Sequence, residues 1–270
     1  MKSKLVIGLA SVVGLILLLT LAPSFSSNLM SSAENNSNVQ INIINNDTGG
    51  NVKENSQLMA NIPSSNLSRQ IINASEQGTP IITIGSGDPK IMIVAGVHGN
   101  ELPPQIAAIM VINNLKDKKL KGTVYIVPFA IPSSTAQGSR YFEGQDPNRV
   151  ADTSGSPTSA LVMESENLNV DFVGDFHSTQ PGGDPGKEVV MCCKDTSYES
   201  FKVAEYMRNQ LGCDIFLNPK NSEAMKNVLN SNGIPTVTSE IVADHGTTDP
   251  ENVQKSYEQM MAFISYSGII

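Results

Sequence analysis

His98 and Glu101, three residues apart in the run Val97-His98-Gly99-Asn100-Glu101, are the residues of this chain best placed to do chemistry. They follow an apolar stretch, residues 91–97, and precede a segment of helical character, so a strand-to-helix turn would aim both at one cation. The chain has only three histidines, and a second, His177, follows another strand-like run in Asp175-Phe176-His177. Two imidazoles and one carboxylate form the open three-ligand set of a catalytic zinc, which leaves a position for water or substrate. The expectation is one Zn2+ per chain, held by His98, Glu101 and His177, and metal-assisted hydrolysis. Histidine and carboxylate donors also suit other divalent ions.

Those residues need a frame. From about residue 76 the sequence alternates between strand-like and helix-like segments. Residues 80–84 and 90–95 read as short strands separated by the turn cluster Gly85-Ser86-Gly87-Asp88-Pro89. Residues 102–118 read as a helix whose early prolines are tolerated because first-turn N–H groups lack partners anyway. Its middle, residues 106–112, is apolar nearly all round, the pattern of a buried helix. Further strands are expected over 122–128, 169–176, 188–191 and 235–240, and helices over 197–211, 222–230 and 250–265. This alternation implies an α/β domain with a mixed, mostly parallel sheet flanked by helices. Ligands of such sheets gather beyond the carboxyl ends of the strands. His98, His177 and Glu240 each fall at or just past such an end.

Composition narrows the partners. The chain has 270 residues, a formal charge of −8 and no tryptophan. A phosphate backbone wants a basic surface and aromatic stacking platforms, so nucleic acid is not an expected partner. Lys2 and Lys4 precede an apolar stretch over residues 5–22. That length reaches the lower limit for crossing about 30 Å of hydrocarbon and exceeds a usual signal-peptide core. Residues 1–23 therefore read as a transmembrane anchor, with a signal peptide as the alternative; Ser24-Phe25-Ser26 offers a small-x-small cleavage site. Either way the remainder is expected outside the cytoplasm, membrane-anchored or secreted. Residues 24–75, rich in Asn and Ser, read as a tether, leaving 76–270 as the hydrolase domain. Cys192, Cys193 and Cys213 fit buried thiols or a single disulfide to Cys213.

Zinc lowers the pKa of a bound water to about 7 and polarises a carbonyl oxygen. A base beside the water and cationic donors for the oxyanion complete such a site. The loop Asp146-Pro147-Asn148-Arg149 sets an amide beside an arginine, with Arg140 nine residues earlier. Arginine grips a carboxylate through two parallel hydrogen bonds. His-x-x-Glu after a strand, an Asn-Arg pair, Asp-x-His after another strand and a late strand-borne Glu, in that order, resemble the zinc carboxypeptidase superfamily. Within it, Val94-Ala95-Gly96-Val97-His98-Gly99-Asn100-Glu101, and Arg140-Tyr141 ahead of Asp146-Pro147-Asn148-Arg149, resemble the succinylglutamate desuccinylase and aspartoacylase branch, over about residues 80–265.

The resemblance implies a zinc-carboxypeptidase-like fold with zinc on His98, Glu101 and His177. It implies Glu240 as general base and later proton donor, Arg140 polarising the scissile carbonyl, and Arg149 with Asn148 holding a substrate carboxylate. Asp175 would support His177 or the polar shell of the site. Two features depart from the pattern. Only thirty residues follow Glu240, too few for the β-rich domain of the aspartoacylase branch, and no tyrosine lies between Tyr206 and Glu240, where the peptidase branch carries one. His245, five residues after Glu240, reads as a loop histidine, with a place at the site rim as the alternative. The expected activity is zinc-dependent hydrolysis of an amide in an N-acyl amino acid or peptide bearing a free carboxylate. A cell-wall peptide-trimming carboxypeptidase and a catalytically silent exported binding domain are the alternatives. Oligomeric state is left open.

Overall fold

Runs of Ile and Val set the sheet. The computed structural model describes residues 39–218 and 221–270. Its strands are β1 (Val39–Ile43), β2 (Pro80–Ser86), β3 (Lys90–Ala95), β4 (Gly122–Val127), β5 (Phe172–Thr179), β6 (Val189–Cys192), β7 (Asp214–Leu217) and β8 (Thr236–Val242). They form one sheet in the order β1-β2-β4-β3-β5-β8-β6-β7. The central strands β4, β3, β5 and β8 run parallel, and β6 and β7 are parallel to each other; β1–β2, β2–β4 and β6–β8 are antiparallel. The mixed, mostly parallel sheet read from the sequence is therefore present.

The helices are α1 (Ser56–Asn61), α2 (Asn66–Ala74), α3 (Leu102–Leu115), α4 (Pro132–Gln137), α5 (Pro157–Asn167), α6 (Tyr198–Leu211), α7 (Met225–Ser231) and α8 (Pro250–Tyr266). Strand side chains alternate between faces, which divides the core in two. Ile91, Ile93 and Ala95 of β3 pack into the layer of α3, α6 and α8, together with Leu58 of α1 and Ile71 of α2. Met92 and Val94 face the other layer, with Leu161 of α5 and Met225 and Leu229 of α7. The all-round burial of α3 agrees with its apolar sequence. Its prolines lie in the first turn, and it ends at Leu115, short of the expected 118.

The largest difference from the sequence reading concerns residues 39–75. The leader expected over 1–23 and the start of the tether lie outside the described residues. From Val39, however, the expected tether is folded. Val39, Ile41 and Ile43 alternate with Gln40 and Asn42, and the strand pairs with β2 along its length. Val52, Leu58 and Ile71 are fully buried. Apolar residues are sparse here but spaced to the periods of strand and helix, so Val52, Leu58, Ile71 and Ile72 reach the core. Among the described residues no helix is long and apolar enough to cross a membrane.

Candidate active site

The turn after β3 is built for close approach. A Cβ on Gly99 would stand 2.0 Å from the carbonyl carbon of Ser134 in α4, so only glycine lets the two segments meet. This contact sets His98 and Glu101 over the end of the sheet, both nearly fully buried. Gln105, on the first turns of α3, braces them: its Nε2 donates to the Glu101 carbonyl (2.9 Å), and its Oε1 accepts from Thr135 Oγ1 (2.9 Å).

Glu101 is the hub. His98 Nδ1 lies 2.7 Å from its Oε1, and His177 Nδ1 lies 2.8 Å from its Oε2. The Ser178 N–H donates to the same Oε2 at 3.0 Å. One ligand atom from each of His98, Glu101 and His177 lies within 4.8 Å of the other two, as a shared ion requires. Each ring turns its other nitrogen to a carboxylate: His98 Nε2 is 2.9 Å from Asp146 Oδ1, and His177 Nε2 is 2.9 Å from buried Asp175 Oδ1. Outer carboxylates of this kind fix ring orientation in metal sites. The Asp175 contact is too poorly angled for a good hydrogen bond, and both of its atoms are otherwise without a partner. Two adjacent buried imidazoles and a carboxylate suit a divalent cation better than they satisfy one another, so the residues present fit a metal ion.

The charges follow from this crowding. Burial alone would raise the Glu101 carboxyl, but His98 and His177 hold it well below the ordinary carboxylate range. Burial works against the His177 imidazolium, yet Asp175 and Glu101 lift it well above a normal histidine. Asp146 is likewise opposed by burial but is pulled down by His98 and then Arg140.

Glu240 sits in β8 directly opposite His177 in β5. Both strands continue two residues past these positions, to Thr179 and Val242, so the residues lie within the strand ends rather than just after them. Its Oε2 is buried without a partner, and burial pushes the carboxyl up to about 8, against the pull of His177. Arg140 also reaches the hub, with NH1 3.3 Å from Glu101 Oε1 and NH2 donating to Asp146 Oδ2 at 2.9 Å.

Arg149 ends a short helical turn, Pro147–Arg149, and is exposed, with NH1 donating to the Asn148 carbonyl at 2.8 Å. The Asn148 side-chain oxygen accepts from the Met225 N–H at 3.1 Å, so this residue anchors the start of α7. One cavity of about 920 Å³ is lined by every residue expected from the sequence: His98, Glu101, His177, Glu240, Arg140, Asn148 and Arg149.

Two further residues line the same cavity, His245 in place of the favoured loop reading and Lys226 without any expectation. His245, read as a loop histidine, points its Nε2 to within 4.0 Å of Glu101 Oε1. Lys226 is buried, and its Nζ lies 3.2 Å from Cys193 Sγ; burial lowers its pKa. A lone histidine in a turn and a lone lysine on a helix carry no local signal of such placement. All three cysteines are free thiols.

A mixed α/β sheet that gathers a His-x-x-Glu turn, a strand-borne histidine and a strand-borne glutamate at its carboxyl end defines a zinc-carboxypeptidase-like fold. Residues 87–266 match the model of the succinylglutamate desuccinylase/aspartoacylase catalytic domain, and the chain belongs to that family. Similar solved structures include a succinylglutamate desuccinylase/aspartoacylase from Rhodobacter sphaeroides (21% identity, TM-score 0.54, covering 73% of this chain and 62% of that one). The ectoine utilization protein EutE from Ruegeria pomeroyi, in a product-bound structure, shares 17% identity (TM-score 0.59, 73% and 64%). A metallo-carboxypeptidase from Burkholderia cenocepacia shares 12% (TM-score 0.58, 85% and 64%). This chain thus spans somewhat less than two thirds of the length of these proteins. No curated protein matches it.

Proposed function

We propose that this protein is a zinc-dependent amide hydrolase that acts outside the cytoplasm on an N-acyl amino acid or peptide bearing a free carboxylate. The observation that carries the reading is the convergence of the three-ligand cluster with Glu240, Arg140 and Arg149 on one cavity. Zinc held by His98, Glu101 and His177 would supply Lewis acidity and a water of lowered pKa. Glu240 takes the proton from the attacking water at its carboxylate and returns it to the leaving nitrogen. Arg140 sets a guanidinium beside the scissile carbonyl, and Arg149 pairs with the substrate carboxylate at the cavity mouth. Asp146 holds His98 and Arg140 together.

The expected N-terminal leader supports the extracytoplasmic setting. A carboxypeptidase acting on a peptide end is the second reading. The cavity's size favours it, since about 920 Å³ falls in the upper part of the range for small-molecule sites. The test is a hydrolysis screen of the zinc-loaded protein against N-acyl amino acids and against peptides with free or amidated C-termini. Turnover confined to free carboxylates supports the reading, and turnover of peptides alone selects the carboxypeptidase. Absence of turnover on every member moves the protein to the binding-domain alternative.

A further inference from the structure

We propose that His245 is a further catalytic residue, an N–H donor that works with Arg140 on the oxygen of the scissile carbonyl as that oxygen gains negative charge. The inference rests on the amide-hydrolase reading above.

The first observation is how the loop is held. Asp244 to Thr247 form a tight turn closed by the Thr247 N–H and Oγ1, both donating to the Asp244 carbonyl at 3.2 and 2.7 Å. Gly246 occupies its third position at φ +77, a conformation that favours glycine. Three external bonds then fix the segment. The Ala243 N–H donates to the Thr179 carbonyl at the end of β5 (2.9 Å), and Asn61 Nδ2 of α1 donates to Thr248 Oγ1 (2.8 Å). The Gly246 N–H donates to the Asn100 carbonyl at 2.7 Å. Asn100 lies between His98 and Glu101, so the residue after His245 is bonded into the turn that carries two of the metal ligands.

The second observation is where the imidazole points. Its Nε2 is 4.0 Å from Glu101 Oε1, the oxygen that Arg140 NH1 approaches to 3.3 Å. Two N–H groups from separate loops therefore flank one corner of the cavity. His245 is not among the ligand atoms that lie within 4.8 Å of one another, so it stands beside the metal cluster rather than in it. Its side chain is about 20% exposed. A donor held beside the reacting carbonyl acts where charge develops and needs no reorganisation. An imidazole carrying its proton on Nε2 serves while neutral, so the role requires no change of protonation. The residue forms and breaks only a hydrogen bond.

The experiment compares full-length, zinc-loaded wild type with His245→Ala and His245→Gln. The substrate is whichever member of the screen the wild type turns over best. Binding of the matching phosphonamidate, whose tetrahedral phosphorus mimics the charged transition state, is measured alongside. Loss of one oxyanion donor lowers kcat by about 10²–10³-fold. His245→Ala should show that loss with KM little changed, and phosphonamidate affinity should fall by a similar factor. Zinc affinity by chelator competition and the melting temperature should stay at wild-type values. His245→Gln, which keeps an N–H donor, should recover part of both losses. A change confined to KM, an unchanged phosphonamidate affinity, or a parallel loss of zinc would overturn the assignment. If wild type is active and His245→Ala stays within about threefold of it, only the His245 role falls. An inactive wild type removes the amide-hydrolase reading and this role together.

Discussion

Replacing Glu240 by glutamine should stabilise the metal-free protein, and by an amount that grows with pH. The carboxyl lies in the sheet beside His177 and near Glu101 and Asp175, with one oxygen buried and unpaired. Burial lifts its pKa from 4.5 to about 8. An acid whose folded pKa is raised favours the folded state in its neutral form. That stabilisation is complete below about pH 4.5 and is lost as pH rises through about 8. At about 1.4 kcal/mol per pH unit the displacement is worth on the order of 4–5 kcal/mol. Water in the cavity screens part of this, leaving roughly 2–4 kcal/mol. Glutamine keeps the shape and never ionises. Urea unfolding of chelator-treated wild type and Glu240→Gln at pH 5, 7 and 9 should therefore show a small difference at pH 5. The variant should lead by roughly 2–4 kcal/mol at pH 9. A difference that stays flat across this range, or a wild type that gains on the variant as pH rises, would refute the burial argument.

Glu101→Gln removes the charge shared by both histidines, so elemental analysis of the purified variant should find zinc reduced from about one per chain to a small fraction; full occupancy would contradict the ligand set. Arg149→Met should raise KM for free-carboxylate substrates by about 10–100-fold, the value of a hydrogen bond to a charged group, with kcat little changed. Amidated substrates, if turned over, should be indifferent to it in steady-state assays. Leu58→Ala, in the segment whose composition suggested a tether, should cost about 2–5 kcal/mol in urea unfolding; a loss under about 0.5 kcal/mol would detach that segment from the core. The Cys192 thiol, pushed up to about 12 by burial, should resist iodoacetamide at pH 8 in the native protein and react once it is denatured, as read by mass spectrometry.

The central strands were legible because parallel strands covered on both faces appear as unbroken apolar runs, as in Ile91-Met92-Ile93-Val94. The chemistry-bearing residues follow those runs directly, so the sheet's carboxyl edge could be read before its strand order was known. β1 escaped notice because two of its five residues are Gln and Asn facing solvent, and overall composition hid the alternation of Val39, Ile41 and Ile43. β7 is a four-residue edge strand, too short for a periodic signal. α5 owes its start to a Ser156 cap and its burial to scattered contacts rather than to a clear apolar stripe. His245 and Lys226 reach the cavity through loop bonds and helix placement that no neighbouring residue announces.

The pairing of β5 with β8 has a consequence for how this protein can misassemble. His177 and Glu240 are register partners, so they stand side by side on one face of the sheet only when the two strands align as Val173 with Thr236 through Thr179 with Val242. A slip of a single residue would turn one strand's whole set of side chains to the opposite layer. His177 and Glu240 would then be parted in one stroke, with Thr238 or Ile241 displaced from its packing at the same time. A misaligned chain would lose core burial and chemistry together, so the pairing acts as a proofreading step: a wrongly assembled molecule is both unstable and inert, and half-working forms have no foothold.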